Sequence, residues 1–227
     1  MNHLLDNPIF NALNTEHQPF ANGNKEVNYY IEDVAPFAGL QDNSPDNFNS
    51  LFEMTPPEST FVVFTPTPYQ IPKRWKLLTH IDMFQMVYDH TQIPEEVIGD
   101  FEDLDETNVN EMIELVKLTQ PGPFKSRTID LGNYTGVFSE QKLVSMAGHR
   151  FHPSPYIEIS AVCTHPDHVG KGYAYRLLSE QIKRILAKSQ TPFLHVRNDN
   201  VGAIKLYQKL GLKIRKGMIA YVLQKEG

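Results

Sequence analysis

The chain has 227 residues, a net charge of −6, 41% hydrophobic and 21% charged residues, and one cysteine. That length makes one large domain or two small ones with a real core. The acidic balance, with no Lys/Arg block, argues against a nucleic-acid partner, and the lone Cys163 excludes an intramolecular disulfide.

The opening MNHLLDNPIF has no basic segment leading into a long apolar run, and no stretch reaches the length of a membrane span. A cytoplasmic protein without a membrane partner is expected. Residues 1–75 are rich in Asn, Pro, Phe and Tyr. EVNYYIE (26–32) and STFVVFT (59–65) read as strands, and SPDNFNSLFEM (44–54) as a helix with Ser44 as N-cap and Pro45 in its first turn. The proline-rich TPTPYQIP (65–72) marks a boundary between a small N-terminal α/β lobe (1–75) and a second domain (76–227). MFQMVYD (83–89) suits a strand. NVNEMIELVKLT (108–119) suits a helix capped by Asn108 or Asn110 and stopped by QPGPF. YTGVF and LVSMAGHRF form a hairpin across SEQK, and YIEISAVCT (156–164) is a strand with Ile157, Ile159, Ala161 and Cys163 at alternate positions. A glycine turn, a helix to about Lys188, a strand PFLHVR (192–197), a short helix ended by Gly211 and one or two closing strands follow. The order gives a mixed α/β fold.

The turn lies in HPDHVGKGYAYRLL (165–178). Gly170 and Gly172 allow close approach of a ligand to the backbone, and free N–H groups at a helix start favour phosphate oxygens. A glycine pair also serves simply to fit a helix against a strand. The turn is not a P-loop, since no Lys-Ser or Lys-Thr follows at the required spacing, and the third glycine of the dinucleotide fingerprint is missing. It resembles the acetyl-CoA loop of the GNAT N-acyltransferase superfamily, Gln/Arg-x-x-Gly-x-Gly/Ala, with Val169 in place of Gln/Arg. A second element, NVGAIKLYQKLGL (200–212), is similar to that family's Asn-x-x-Ala-x-x-x-Tyr-x-x-x-Gly-Phe, with Leu212 for Phe. The resemblance covers about residues 80–227, and LTQPGPFKSRT with EISAVCTHPDH is similar to an FR-type, glycine N-acyltransferase-like branch.

The resemblance implies a mostly antiparallel mixed sheet flanked by helices, and transfer of an acetyl group from acetyl-CoA to a primary amine. Val169, Gly170, Lys171, Gly172, Tyr173 and Ala174 would hold the pyrophosphate, with Lys171 either adding charge or standing in solvent. Ala161, Val162, Cys163 and Thr164 would pair with the pantetheine arm, with the N–H of Val162 as an oxyanion donor. Asn200 belongs to the second motif and to the cofactor set. Tyr207 would be the general acid to the leaving thiolate; the plainer reading is a buried aromatic beside Ile204 and Leu210. Glu158 stands 11 positions before the loop, where the histone-acetylating branch has its general base. Its plainer reading is a salt-bridge partner of Arg150.

His149 and His152 are lesser candidates for the base, read otherwise as surface or hydrogen-bonded residues, and Cys163 is expected to be buried. No His/Cys spacing suggests a metal. The expected acceptor is a small-molecule amine rather than a protein, and a homodimer is left open. The competing reading is a CoA-binding sensor or scaffold without turnover. An open groove at Glu158 would favour catalysis; a carboxylate sealed in a salt bridge would favour the binder. The N-terminal lobe either closes over the acceptor site or is extra core.

Overall fold

A computed structural model describes residues 3–89 and 101–226. The elements run α1 (Pro8–Leu13), β1 (Ala21–Gly23), β2 (Val27–Tyr30), β3 (Ala38–Leu40), α2 (Pro45–Met54), β4 (Thr60–Thr65), β5 (Trp75–Tyr88), β6 (Glu102–Asp103), α3 (Val109–Thr119), β7 (Thr135–Ser139), β8 (Lys142–His149), β9 (Tyr156–Thr164), α4 (Tyr173–Ala187), β10 (Thr191–Arg197), α5 (Val201–Lys209) and β11 (Leu212–Lys225). An eight-stranded sheet has the order β4-β11-β5-β10-β9-β8-β7-β6, and a three-stranded sheet the order β1-β2-β3. Every pair in the large sheet is antiparallel except β9–β10, which α4 joins as a crossover.

Local sequence explains most boundaries. Ser44 Oγ accepts the Asn47 N–H, with Pro45 in the first turn of α2. α3 differs from expectation at its start. Asn108 makes no side-chain cap to it; Asp105 forms a capping box with Asn108 around a preceding 3-10 turn. Strand β5 is longer than its apolar stretch MFQMVYD, because backbone pairing with β11 carries it back to Trp75 through exposed residues.

The sheet has an apolar core on each face. Ile157, Ile159, Leu194 and Val196 pack against Leu178, Ile182 and Ile185 of α4 and Tyr207 and Leu210 at α5. On the opposite face Phe64, Phe151 and Phe193 pack against Leu5, Ile9, Leu13 and Phe37. Full burial of each such side chain contributes roughly 1.5–3 kcal/mol. The first seventy-five residues pack on both sheet faces, since Phe48, Leu51 and Phe52 of α2 meet Phe61, Val63, Tyr221 and Leu223 on the side opposite Phe64. They also supply the edge strand: β4 pairs with β11 from Thr60↔Gln224 to Thr65↔Ile219. The sheet has no break at the proline-rich segment.

Candidate active site

The glycine turn is built as a ligand-binding turn would be. His165 Nδ1 accepts the Asp167 N–H at 3.2 Å and starts a 3-10 turn over Pro166–His168. Gly170 (φ +83°) and Gly172 (φ +80°) both take the left-handed conformation, and a Cβ at either would meet open space. These glycines are therefore set by backbone conformation, and the space in front of them is free. Helix α4 starts directly after Gly172, with its first-turn N–H groups at that opening. Val169 is exposed. Lys171 Nζ lies 3.2 Å from His168 Nδ1, and the Arg176 guanidinium lies over the Tyr173 ring at 5.0 Å. Ala174, at the start of α4, is half-buried.

Strand β9 leads into this turn and parts from its parallel neighbour on the way. Its pairing with β10 covers only Tyr156, Ile157 and Glu158, the last opposite Phe193. Beyond Glu158 the strands diverge, and β9 bulges against β8 between Met146 and Gly148. Ala161 sits at that irregularity with φ +51°. A non-glycine residue in this region carries roughly 1–3 kcal/mol of strain and bends the strand. Ser145 Oγ donates to the Cys163 carbonyl at 2.9 Å and pairs with Thr164 Oγ1 at 2.8 Å, fixing the strand past the bulge. Cys163 is buried, which pushes its thiol up to about 11 and keeps it neutral.

Tyr207 lies on α5, buried in the same apolar cluster as Ile159, with Val162 packed against that cluster. Burial pushes its phenol up to about 12, so it keeps its proton at neutral pH. No group among the described residues hydrogen-bonds its hydroxyl. Asn200 Oδ1 accepts the Ala203 N–H at 3.1 Å; this side chain caps α5.

Glu158 is sealed. It has no exposed surface, and Arg150 grips it with two parallel hydrogen bonds, Nε to Oε2 at 2.8 Å and Nη2 to Oε1 at 2.6 Å. His195 Nδ1 adds a third contact to Oε1 at 2.6 Å. Burial opposes the charge, but Arg150 and then His195 prevail and hold the carboxyl at about 2. With its oxygens engaged by these partners, the carboxylate is not poised to receive a proton from an amine. The polar chain continues: Gln85 Nε2 donates to the Leu5 carbonyl at 2.7 Å and lies 3.0 Å from His195 Nε2. Arg215 binds both Gln85 Oε1 and Asp6, and Lys216 also reaches Asp6. A line of charges and amides thus crosses four strands and ties the start of the chain to the point where β9 and β10 part.

His149 and His152 are neither surface residues nor well hydrogen-bonded. They form an interior trio with His17, with ring centroids 4.5 Å apart for His17–His152 and 5.5 Å for His149–His152. Burial holds His17 and His149 at about 3 and His152 at about 4. Gln181 approaches His149, yet both ring nitrogens and Gln181 Oε1 lack a hydrogen bond of good geometry. His195 and the trio were not singled out by sequence reasoning as a set, because the contacts span distant segments. The alternation in PFLHVR, which puts His195 on the same face as Phe193, was the available signal.

Two openings adjoin these parts. A groove of about 870 Å³ lies beside the glycine turn, lined by Glu111, Glu114, Lys142, His165, His168 and Lys171 among others. A slot of about 10 Å³, enough for one water-sized group, lies at the bulge between Ala161, Ser160, Arg150, Tyr134 and the Pro121–Phe124 loop. Among the described residues no group of His, Cys, Asp and Glu has the geometry to hold a metal ion, and no helix is long and apolar enough to cross a membrane.

A parallel strand pair that splays ahead of a glycine turn and helix is the architecture of GNAT-type acyltransferases. The FR47-like protein family model matches residues 134–219. A structure from Novosphingobium aromaticivorans, described as a putative acetyltransferase from the GNAT family, is 30% identical, with TM-score 0.91 over 100% of both chains. A GCN5-related N-acetyltransferase from Kribbella flavida has TM-score 0.62 at 12% identity over 96% of each chain, and an acetyltransferase of the GNAT family from Colwellia psychrerythraea has TM-score 0.54 at 12% identity, over 100% of this chain and 98% of that one. These two show the shared fold. No curated protein sequence matches the chain. The protein belongs to the GNAT family, whose general chemistry is acyl transfer from acetyl-CoA to an amine.

Proposed function

We propose that the protein is an acetyl-CoA-dependent N-acetyltransferase working by direct attack of a small amine on the thioester. The observation that carries this is the parting of β9 from β10 at Glu158, which ends in the open turn at Gly170 and Gly172. The backbone from Val169 to Ala174 and the start of α4 bind the pyrophosphate, with Lys171 close by. The backbone of Ala161–Thr164, left without a β10 partner, receives the pantetheine arm, and the Val162 N–H polarises the thioester carbonyl. Tyr207, protonated at neutral pH, gives its proton to the departing thiolate.

The burial of Glu158 changes its role in this reading. The carboxylate positions Arg150 and the two strands. The amine enters as the free base, and the proton its nitrogen sheds after attack passes to bulk solvent, balancing the one Tyr207 gives to the thiolate and later recovers. An amine of modest basicity has an appreciable free-base fraction at neutral pH, so no buried base is needed. The same burial favours the second reading, a CoA-binding protein without turnover. Release of free thiol from acetyl-CoA over a panel of amines separates the two. Turnover abolished or strongly cut in Tyr207→Phe supports the enzyme. Tight CoA binding by calorimetry with no thiol release from any amine supports the binder.

A further inference from the structure

Resting on that reading of the site, we infer that Arg150 is a specificity-determining residue. Its free Nη1 receives a neutral carbonyl oxygen carried by the acceptor close to its amine. Arg150 uses Nε and Nη2 on Glu158, and no group among the described residues partners Nη1. The guanidinium cannot swing away, since Phe151, Phe37 and Phe64 surround it at 4.7, 5.2 and 5.6 Å from their ring centroids. It lines the slot at the strand bulge together with Ser160 and Ala161, beside the strand assigned to the thioester. A rigid guanidinium with one unengaged nitrogen, lining a water-sized space, fits one oxygen atom.

The charge balance chooses the kind of oxygen. Arg150 is already neutralised by Glu158, and the other titratable group lining the slot is Tyr134, whose phenol burial pushes well above its ordinary value. A carboxylate would bring a net negative charge into a site whose cation is spent. A carbonyl oxygen takes the same hydrogen bond without that cost. The acceptor class is therefore an amino amide rather than a free amino acid or a simple alkylamine.

The test compares glycinamide, glycine and ethylamine as acceptors in thiol release, with wild type and with Arg150→Lys. Lysine keeps the cation that Glu158 needs but has no fixed fork, so it sits on the carboxylate and leaves the slot without a donor. Glycinamide is also the less basic amine, but that difference is common to both proteins, so the change in its preference over ethylamine isolates the oxygen contact. The expected result is loss of that preference by about tenfold or more, through KM for glycinamide, with KM for acetyl-CoA unchanged. Ser160→Val, which narrows the slot without touching the ion pair, should do the same and covers the case in which Arg150→Lys fails to fold. Equal loss for both amines through kcat, or a preference for glycine over glycinamide, overturns the inference while leaving the acyltransferase intact. If no amine is acetylated, the enzyme reading fails separately. Calorimetric binding of N-acetylglycinamide to the CoA-loaded protein then decides this inference: binding weakened by both variants sustains it, and unchanged or absent binding overturns it.

Discussion

Acidification should unfold this protein well above the pH at which its carboxylates protonate. His17, His149 and His152 are held neutral by burial at about 3, 3 and 4, against 6.5 when free. Facing them are the Tyr30 hydroxyl, 2.7 Å from His17 Nδ1, and Gln181. His152 opposes protonation of His17 and His149, and Lys188 and Arg184 oppose that of His149; for His152, Lys188 opposes protonation while the Glu158 charge favours it. Each folded pKa lies below its unfolded value, so between about 6.5 and 4 the unfolded chain binds more protons and stability falls with pH. At pH 5 each histidine costs about 2 kcal/mol relative to pH 8, or about 6 kcal/mol for the three if they act independently. That is a large share of the roughly 5–15 kcal/mol typical of a domain. The Glu158 carboxyl, held at about 2 against 4.5, loses its contribution progressively below about pH 5, so it adds little between pH 8 and 5. Urea unfolding followed by fluorescence of the single Trp75, which is buried, measures the effect at pH 8, 7, 6 and 5. The midpoint should drop steeply below pH 6.5 with little change in m, and His152→Asn should flatten the slope by about a third. A midpoint constant from pH 8 to 5 would refute the burial argument.

Tyr207→Phe should lower kcat by about 10²-fold or more while CoA affinity, read by calorimetry, stays the same. Gly172→Val should weaken CoA binding by about tenfold with little change in kcat at saturation, because the left-handed conformation costs a β-branched residue roughly 1–2 kcal/mol. Glu158→Gln should lower unfolding free energy by about 3–5 kcal/mol by leaving Arg150 buried and unpaired, seen as a lower urea midpoint. Asp6→Asn should loosen the first residues, read as faster amide exchange at Leu5 and Ile9, with a stability loss of about 1–2 kcal/mol.

The two glycines, the strand before them and the helix after them are legible because each is a local pattern: period-two alternation, left-handed turn residues and a 3.6-residue apolar stripe. The same holds for the cap by Ser44; Asn200, assigned by the resemblance to the cofactor set, caps α5 in the structure. The paired state of Glu158 was visible only as an alternative, since Arg150 lies across the hairpin, and nothing local decides whether a carboxylate faces a groove or a cation. His195 and Gln85 lie on apolar strands far apart in sequence, and only the register of β10 on β5 sets them side by side. The short segments α1, β1 and β3 were missed because three to six residues carry too little periodicity, and their helical or extended state comes from packing on the large sheet.

The place of β11 between β4 and β5 has a consequence for how the chain comes together during synthesis. Strand β4 emerges early, yet its partner in the sheet lies beyond residues 66–211. Until β11 arrives, the hydrophobic strand TFVVFT has no neighbour in the large sheet, and Asp6 has neither Arg215 nor Lys216 to bind. Until then the early residues lack their sheet partner, and an unpaired apolar strand of this kind is where aggregation starts. Completion is governed by a late closure over a long loop, which makes assembly slow for the size of the protein. For the same reason, a chain cut anywhere ahead of β11 would strand both halves of the molecule at once.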